Sequence, residues 1–201
     1  MGKVTRDSNV KAGLDRRQVV RQIMAGQQDM AIITGLGSPT YDVAAVEDRK
    51  RNFYLWGAMG GAVAMGLGLA LARKDLDVLV VTGDGEMLMG MGSLATTAVK
   101  APENLAILVL DNGFYGETGM QRSHAGLGCD LSTVASACGI ADAWKVSGEN
   151  DLRAICKRFH TRGSVRFLQV LVSAEEHERV MPTRDAVENK LRFCESISPG
   201  R

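Results

Sequence analysis

Short apolar runs recur along this chain, and longer mixed segments separate them. The apolar runs predict buried strands over residues 30–34, 52–55, 78–82, 105–110, 143–146 and 167–173. The longer segments predict helices over residues 16–25, 57–73, 86–100, 130–138 and 149–161. Strands that alternate with helices favour an α/β fold with a doubly wound, mostly parallel sheet and helices on both faces.

The two ends of the chain are polar and charged. Residues 1–14 predict a flexible N-terminal arm, and Asp15 after them is a suitable N-cap for the first helix. Residues 183–196 predict an amphipathic C-terminal helix with Val187, Leu191 and Cys194 on one side. Because no linker is visible, residues 1–201 are interpreted as a single domain.

The composition is that of an ordinary soluble protein. With 201 residues, 45% hydrophobic content and a net charge of +1, the chain offers no electrostatic case for binding nucleic acid or a membrane. The longest weakly polar run, residues 55–72, is borderline in length for a membrane span, but its small residues favour a buried helix. The first residues lack an apolar signal-peptide core, and the four cysteines are scattered, so we expect a reduced, cytoplasmic protein.

Oxygen-donor side chains follow two of the predicted strands. Gly83, Asp84 and Gly85 come directly after residues 78–82, and Asn112 comes just after residues 105–110. A strand, helix, strand unit brings the carboxyl ends of both strands to one edge of the sheet, so Asp84 and Asn112 can meet there. A carboxylate and an amide oxygen are suitable ligands for Mg²⁺ on a diphosphate.

This spacing resembles the diphosphate-binding motif of thiamine diphosphate (ThDP) enzymes, in which Gly-Asp-Gly precedes an Asn by just under thirty residues. The resemblance implies the ThDP-binding fold, with ThDP and Mg²⁺ as cofactors and with Asp84, Asn112 and the backbone oxygen of Phe114 as metal ligands. One departure is Asp111, because many relatives have Asn there. The cofactor-binding residues that the resemblance implies are Gly57, Met59, Gly83, Asp84, Gly85, Glu86, Asn112, Phe114, Tyr115 and Gly116.

The segment of residues 56–61 resembles a second element of ThDP decarboxylases, the residue that wedges between the two cofactor rings. By this resemblance Met59 is the wedge, and the Gly57 carbonyl accepts a hydrogen bond from the 4′-amino group. The bent cofactor brings that amino group close to the reactive carbon. Taken alone, Met59 would be interpreted as a residue that fills a gap in the core.

The polar residues that follow Asn112 are candidates for catalysis. In ThDP enzymes this loop lies over the thiazolium ring, so Glu117 is the best acid/base candidate, and Gln121 and His124 could orient a carboxylate or relay a proton. Arg122 could pair with an anionic group of the substrate. The alternative is a solvated polar loop, and relatives often have a small hydroxyl residue in place of Glu117.

Residues 30–173 most closely resemble the sulfopyruvate and phosphonopyruvate decarboxylase family, which shares the Tyr-Gly-x-Thr-Gly-x-Gln run found at residues 115–121. This resemblance implies the diphosphate-binding subunit of a heteromeric decarboxylase of a small anionic 2-oxo acid. A pyrimidine-binding partner subunit would supply the activating glutamate in an α₂β₂ or higher assembly. The alternatives are a carboligase of acetolactate-synthase type, a 2-oxo acid oxidoreductase β subunit and a non-catalytic regulatory subunit.

Residues 35–37, Gly-Leu-Gly, also follow a predicted strand and could begin a dinucleotide-binding fingerprint. The third glycine position is Thr40, and no suitable ribose-binding acid follows, so a loop that faces an active site is favoured. Pro39 suits the first turn of a helix after this loop.

Overall fold

Six parallel strands form the central sheet of the computed structural model, which describes residues 13–198. In chain order they are β1 (Ala31–Thr34), β2 (Asn52–Tyr54), β3 (Val78–Gly83), β4 (Leu105–Asp111), β7 (Asp142–Val146) and β8 (Arg166–Leu171). A separate antiparallel hairpin, β5 (Phe114–Tyr115) and β6 (Gln121–Arg122), follows β4 along the chain. Across the sheet the order is β2-β1-β3-β4-β8-β7, and every neighbouring pair is parallel.

Helices cover both faces of this sheet. They are α1 (Arg16–Met24), α2 (Ser38–Val46), α3 (Ala62–Ala72), α4 (Asp84–Met89), α5 (Ser93–Lys100), α6 (Leu131–Ala137), α7 (Glu149–His160) and α8 (Ala186–Ile197). Helices α1, α2 and α7 share one hydrophobic core with the sheet, and α3, α4, α5 and α6 share the other. Successive strand residues point to opposite cores, as Ile32 and Ile33 do. The doubly wound α/β prediction is therefore confirmed.

Close contact between glycines makes one predicted helix begin later and divides another. The helix predicted over residues 57–73 begins only at Ala62, and Gly57 and Gly60 before it have φ values of 75° and 88°. The helix predicted over residues 86–100 is divided into α4 and α5 near Gly90. A Cβ on Gly90 would lie 2.2 Å from the Gly60 carbonyl oxygen, so the two backbones touch.

The N-terminal prediction is only partly tested. Residues 1–12 of the predicted arm lie outside the described residues. Leu14 is not part of a loose arm, because its N–H donates to the Leu171 carbonyl at 3.1 Å and its carbonyl accepts from Ser173 N at 2.9 Å. Asp15 is the N-cap of α1, as predicted, and its carboxylate accepts from Gln18 N at 2.8 Å.

Helix α8 is present as predicted, but the side that carries Val187, Leu191 and Cys194 is exposed. The helix instead buries Asn189 and Phe193 against strand β2, at the edge of the sheet. The Asn189 amide donates to the Tyr54 carbonyl at 2.9 Å, and the Phe193 ring packs edge-on against Phe53. An edge strand has free backbone groups, and a buried amide satisfies one of them here.

Within residues 13–198, no helix combines the length and the apolar character that crossing a membrane requires. The weakly polar run of residues 55–72 does not form one helix. Only Ala62–Ala72 is helical, as α3, and this helix packs on β3.

Two substitutions on α8 test the orientation of this helix. Phe193→Ala should lower the free energy of unfolding by about 3 kcal/mol, because it removes a buried ring that is only 7% exposed. Leu191→Ala is the matched control and should change stability by less than about 0.5 kcal/mol, because that side chain is 53% exposed. Urea unfolding of both variants measures the difference. An equal or larger loss for Leu191→Ala would contradict the observed orientation.

Candidate cofactor and metal site

Strands β3 and β4 end side by side at one edge of the sheet. Gly83 pairs with Leu110, so Asp84 begins α4 close to the point where Asn112 leaves β4. The Asn112 side-chain oxygen accepts from Phe114 N at 2.9 Å, which fixes the tight turn after β4. Asp84 and Asn112 line the same cavity, as their positions after parallel strands predict.

This cavity encloses about 770 Å³ of empty space, including the part open to solvent. The predicted cofactor-binding residues that line it are Met59, Gly83, Asp84, Gly85, Glu86, Asn112, Phe114, Tyr115 and Gly116. Gly57 is the one predicted member that is not among the lining residues of the described chain. The residues that sequence analysis did not assign are Arg16, Leu36, Gly37, Ser38, Pro39, Leu110, Thr118 and Val172.

Residues 36–38 line this cavity, and the preference for a loop that faces an active site over a dinucleotide fingerprint stays a prediction. Helix α2 begins at Ser38, and Pro39 lies in its first turn. The first backbone N–H groups of a helix lack partners within the helix, and they attract anions. In α2, Pro39 has no N–H and Thr40 N donates to the Gly37 carbonyl at 3.0 Å, so the N–H of Ser38 is the one at the start of the helix that could face an anionic group in the cavity.

Asp84 is the most perturbed acid of the site. It is only 2% exposed, and it accepts a hydrogen bond from the Ser123 hydroxyl. Burial raises the pKa of Asp84 to about 7, and the nearby charge of Asp111 contributes to the increase. A divalent cation would compensate this buried negative charge, so the local chemistry fits a metal held partly by Asp84.

Asp111 supports the turn after β4 rather than the cavity. Its carboxylate accepts from Gly113 N at 3.0 Å and from the Gln169 amide at 2.7 Å. The oxygen of Gln169 in turn accepts from Ser132 N at 2.9 Å, at the start of α6. These hydrogen bonds occupy both oxygens of the Asp111 carboxylate. Asn112 therefore stays the candidate metal ligand, although Asp111 stands where many relatives have Asn.

The lack of a side chain at Gly85 leaves space at the start of α4 for two neighbouring side chains. A Cβ at this position would lie 2.6 Å from the Tyr115 ring and 3.6 Å from the Met59 methyl carbon. Met59 is 39% exposed and stands at the cavity, so it does not fill a gap in the core. This position is consistent with the wedge interpretation, while the contact of the Gly57 carbonyl with a cofactor stays a prediction.

The three predicted catalytic residues differ in their positions. Glu117 lines the cavity, but it is exposed at the rim, with a carboxylate oxygen 3.7 Å from Arg179 Nη1. Gln121 forms hydrogen bonds of 2.8 Å with the hydroxyl and carbonyl of Thr118, and so holds its own hairpin together. His124 Nδ1 lies 3.2 Å from the Tyr115 hydroxyl. Of the three, only Glu117 is among the cavity-lining residues of the described chain, and all three roles stay predictions.

Residues 172–185 cross the same edge of the sheet, and two arginines of α1 hold them there. Arg16 donates to the Glu175 carbonyl at 2.7 Å, and Arg17 donates to the Glu178 carbonyl. Both guanidinium groups also contact the fully buried Asp42 of α2, at 2.5 and 2.9 Å. The contacts place Arg179, the partner of Glu117, at the rim of the cavity. Sequence periodicity gave no indication of this arrangement, since the partners are far apart along the chain.

An exposed apolar surface adjoins the cavity on the α3 side of the sheet. Helix α3 contains no charged residue, yet it is exposed along one side. The large apolar residues of this surface are Met59, Met65, Leu71, Met89, Met91 and Val99, and we call them the apolar face. Six of the exposed large apolar side chains within residues 13–198 thus belong to this one helix layer, and exposed apolar area of this kind favours an interface.

The charge of Asp84 predicts a pH-dependent stability in the metal-free chain. Because the pKa is about 7 rather than the usual 3.8, the folded state holds this proton more tightly than the unfolded state. The free energy of unfolding should therefore fall as the pH rises through that interval. With EDTA present, Asp84→Asn should raise it by roughly 2 to 4 kcal/mol at pH 8, with little gain at pH 4.

Urea unfolding at the two pH values measures this effect, and Asp151→Asn, an exposed acid on α7, is the control. A gain at pH 8 no larger than the gain at pH 4 would contradict the prediction.

Comparison with known proteins supplies an independent view of the fold and site. The family described as "Thiamine pyrophosphate enzyme, C-terminal TPP binding domain" matches residues 35–170. The sulfopyruvate decarboxylase subunit beta of Methanococcus maripaludis is 34% identical over 186 residues, which are 92% of this chain and 98% of that subunit. The sulfopyruvate decarboxylase of Methanosarcina acetivorans is 36% identical over 157 residues. That match covers 78% of this chain but only 40% of the relative's length.

Among solved structures, the thiamine diphosphate-dependent 4-hydroxybenzoylformate decarboxylase of Rhodococcus jostii RHA1 aligns with a TM-score of 0.68 at 22% identity. The alignment covers 88% of this chain and 36% of that one, and it supports the fold alone. Residues 35–170 include both Asp84 and Asn112, and they make up more than half of the sequence. The chain belongs to the thiamine pyrophosphate enzymes, through their C-terminal TPP-binding domain.

Proposed function

We propose that this chain is the diphosphate- and Mg²⁺-binding subunit of a heteromeric, thiamine diphosphate-dependent decarboxylase of a small anionic 2-oxo acid. The observation that carries the proposal is that Asp84, Asn112 and Met59 line one cavity at the carboxyl edge of a parallel sheet. The names of the relatives, sulfopyruvate decarboxylases, support the substrate class. The proposal places the protein in the cytoplasm, in keeping with its four free cysteines.

The oxygen atoms of Asp84, Asn112 and the Phe114 backbone would hold Mg²⁺, and the N-terminus of α2 would face the diphosphate. The raised pKa of Asp84 supports this assignment, because a cation would stabilise the buried carboxylate. When bound, thiamine diphosphate supplies a carbon nucleophile for the 2-oxo carbonyl and an electron sink for the departure of CO₂.

The residues of this chain would then orient the reactants and move protons. Met59 would keep the cofactor rings bent from its position over Gly85. The Glu117 carboxylate, at the rim of the cavity, would carry a proton to or from the substrate side. His124 and the Tyr115 hydroxyl, 3.2 Å apart, form a second pair through which a proton could be relayed.

A partner chain completes the proposed enzyme. The match covers 40% of the M. acetivorans relative, whose name carries no subunit label, but 98% of the M. maripaludis subunit beta. The rest of the longer relative would then correspond to a separate subunit, which binds the pyrimidine ring and supplies the activating glutamate. The apolar face next to the cavity suits this subunit, and the pairs would assemble as α₂β₂ or a higher heteromer.

Metal-dependent cofactor binding is the first test of this proposal. Calorimetry of the complete complex should detect thiamine diphosphate binding that is lost with EDTA. Asp84→Ala should weaken that binding by about 100-fold or more, because it removes a direct metal ligand. Asp151→Ala, an exposed acid on α7, should leave it unchanged. Equal affinities of the wild type and Asp84→Ala would contradict the proposal.

Dependence on a partner is the second test. The isolated chain should not decarboxylate sulfopyruvate, phosphonopyruvate or pyruvate, and a partner that resembles the remaining part of the M. acetivorans protein should restore activity at a stoichiometric ratio. Met65→Asp and Val99→Asp should prevent assembly in size-exclusion chromatography, because a charge would be buried without a counter-charge. Arg153→Asp, on the opposite helix layer, is the control for introducing an acid. Turnover by the isolated chain, at a rate that no partner changes, would contradict the subunit proposal.

A further inference from the structure

Glu86 lines the cavity as a predicted cofactor-binding residue, but the proposed mechanism gives its buried carboxylate no step of its own. It lies two residues after Asp84 on α4, is only 4% exposed, and accepts a hydrogen bond of 2.8 Å from the Thr82 hydroxyl. Its second oxygen, Oε1, has no partner of good geometry within residues 13–198. A buried carboxylate costs far more than an apolar side chain of similar size, so a residue that only filled space would be apolar.

The Glu86 side chain occupies the space that a side chain at position 35 would need. A Cβ on Gly35 would lie 1.3 Å from Glu86 Oε2, so only glycine fits beside this carboxylate. Gly35 is the first residue after β1 and begins the loop of residues 35–38 that faces the cavity. The side chain of Glu86 thus reaches from α4 to that loop.

Backbone N–H groups from two other segments influence the Glu86 carboxylate. Burial raises the pKa of Glu86, and the N–H groups of Ala62 and Gly60, at the end of the Met59 segment (residues 57–61), and of Leu36, in the cavity loop of residues 35–38, oppose that rise. The Met59 segment also touches α4 through the close approach of Gly60 and Gly90. Glu86 therefore lies where α4, the cavity loop and the Met59 segment meet.

We infer that Glu86 is a positioning residue, which ties residues 57–61 to residues 35–38 and thereby sets Met59 beside Gly85. Asp84 and Glu86 leave the same turn of α4 in different directions, one toward the Ser123 hydroxyl and the other toward Gly35. One turn of α4 would thus fix the positions of both Asp84 and, through Glu86, Met59. The inference rests on the proposed function only where turnover is measured.

A double-mutant cycle in the assembled complex tests whether Glu86 acts through Met59. Glu86→Ala should lower kcat about tenfold, and Met59→Ala should do the same, while the KM for thiamine diphosphate changes by less than about threefold. In the double variant kcat should equal that of Met59→Ala, because the wedge that Glu86 positions is already gone. Glu86→Gln, which keeps one oxygen acceptor, should restore most of the turnover. Glu149→Ala, an exposed acid on α7, is the control. Additive losses in the double variant would overturn the inference.

Hydrogen exchange of the full chain without a partner gives an answer that does not depend on activity. In Glu86→Ala, or in Glu86→Gln if the alanine variant is unfolded, the amides of Gly60 and Ala62 should exchange faster, while Glu149→Ala should leave them unchanged. Gly35→Ala should be destabilising alone and tolerated together with Glu86→Ala, because the clash at 1.3 Å is removed. Unchanged exchange over residues 57–62 in the Glu86 variant would overturn the inference, even if the complex proves inactive for other reasons.

Discussion

The organising constraint of this protein is the closeness of two acidic side chains at the ends of adjacent parallel strands. Asp111, at the end of β4, accepts hydrogen bonds from Gly113 N and the Gln169 amide, whereas Asp84, at the start of α4, accepts one from the Ser123 hydroxyl. Burial and the charge of Asp111 raise the pKa of Asp84 to about 7. The Asp84 carboxylate is therefore costly to ionise without a counter-charge, which a divalent cation on an anionic ligand would supply. The turn after β4 and the loop of residues 35–38 are arranged around this point.

Close backbone approaches bring the remaining parts of the site to the same place. Gly60 lies against Gly90, Gly85 makes room for the Tyr115 ring, and Gly35 makes room for the Glu86 carboxylate. At each of these positions a Cβ would collide with backbone or side-chain atoms, so the glycines allow α4 to touch two loops at once. The short helix can then present Asp84 and Glu86 to two different parts of the site from a single turn.

Under the proposed function, the outer surface of the helices offers a place for the partner chain. Helix α3 is charge-free and exposed along one side, and the apolar face continues to α4 and α5 next to the cavity. The exposed side of α8, with Val187 and Leu191, adds apolar area beyond β2. Burying such surfaces against a partner would remove apolar area from water and close the cavity that is open in the isolated chain. Assembly and exclusion of water from the site would then be one event.

The sequence by itself determined the parts of this protein that depend on local pattern. Apolar runs predicted the six strands of the sheet, and the positions of Asp84 and Asn112 directly after two of them predicted that both would line one site. Parallel strands leave little freedom at this point, since their carboxyl ends must lie at one edge. The Asp15 cap and the position of Pro39 followed from equally local preferences. The tertiary structure decided what depends on contacts between distant segments.

Periodicity placed Val187 and Leu191 on one side of α8, but it did not tell whether that side is buried. The helix instead turns Asn189 toward β2, where the amide donates a hydrogen bond to the Tyr54 carbonyl, and Val187 and Leu191 stay exposed. Spacing likewise gave no indication that Ser123 would reach Asp84, that Arg179 would lie beside Glu117, or that Glu86 would fill the place of a side chain at Gly35. The members of these pairs lie 39, 62 and 51 residues apart along the chain. Helical and strand periods report only which residues share a face of one element, and the partner of that face is chosen when the whole chain packs.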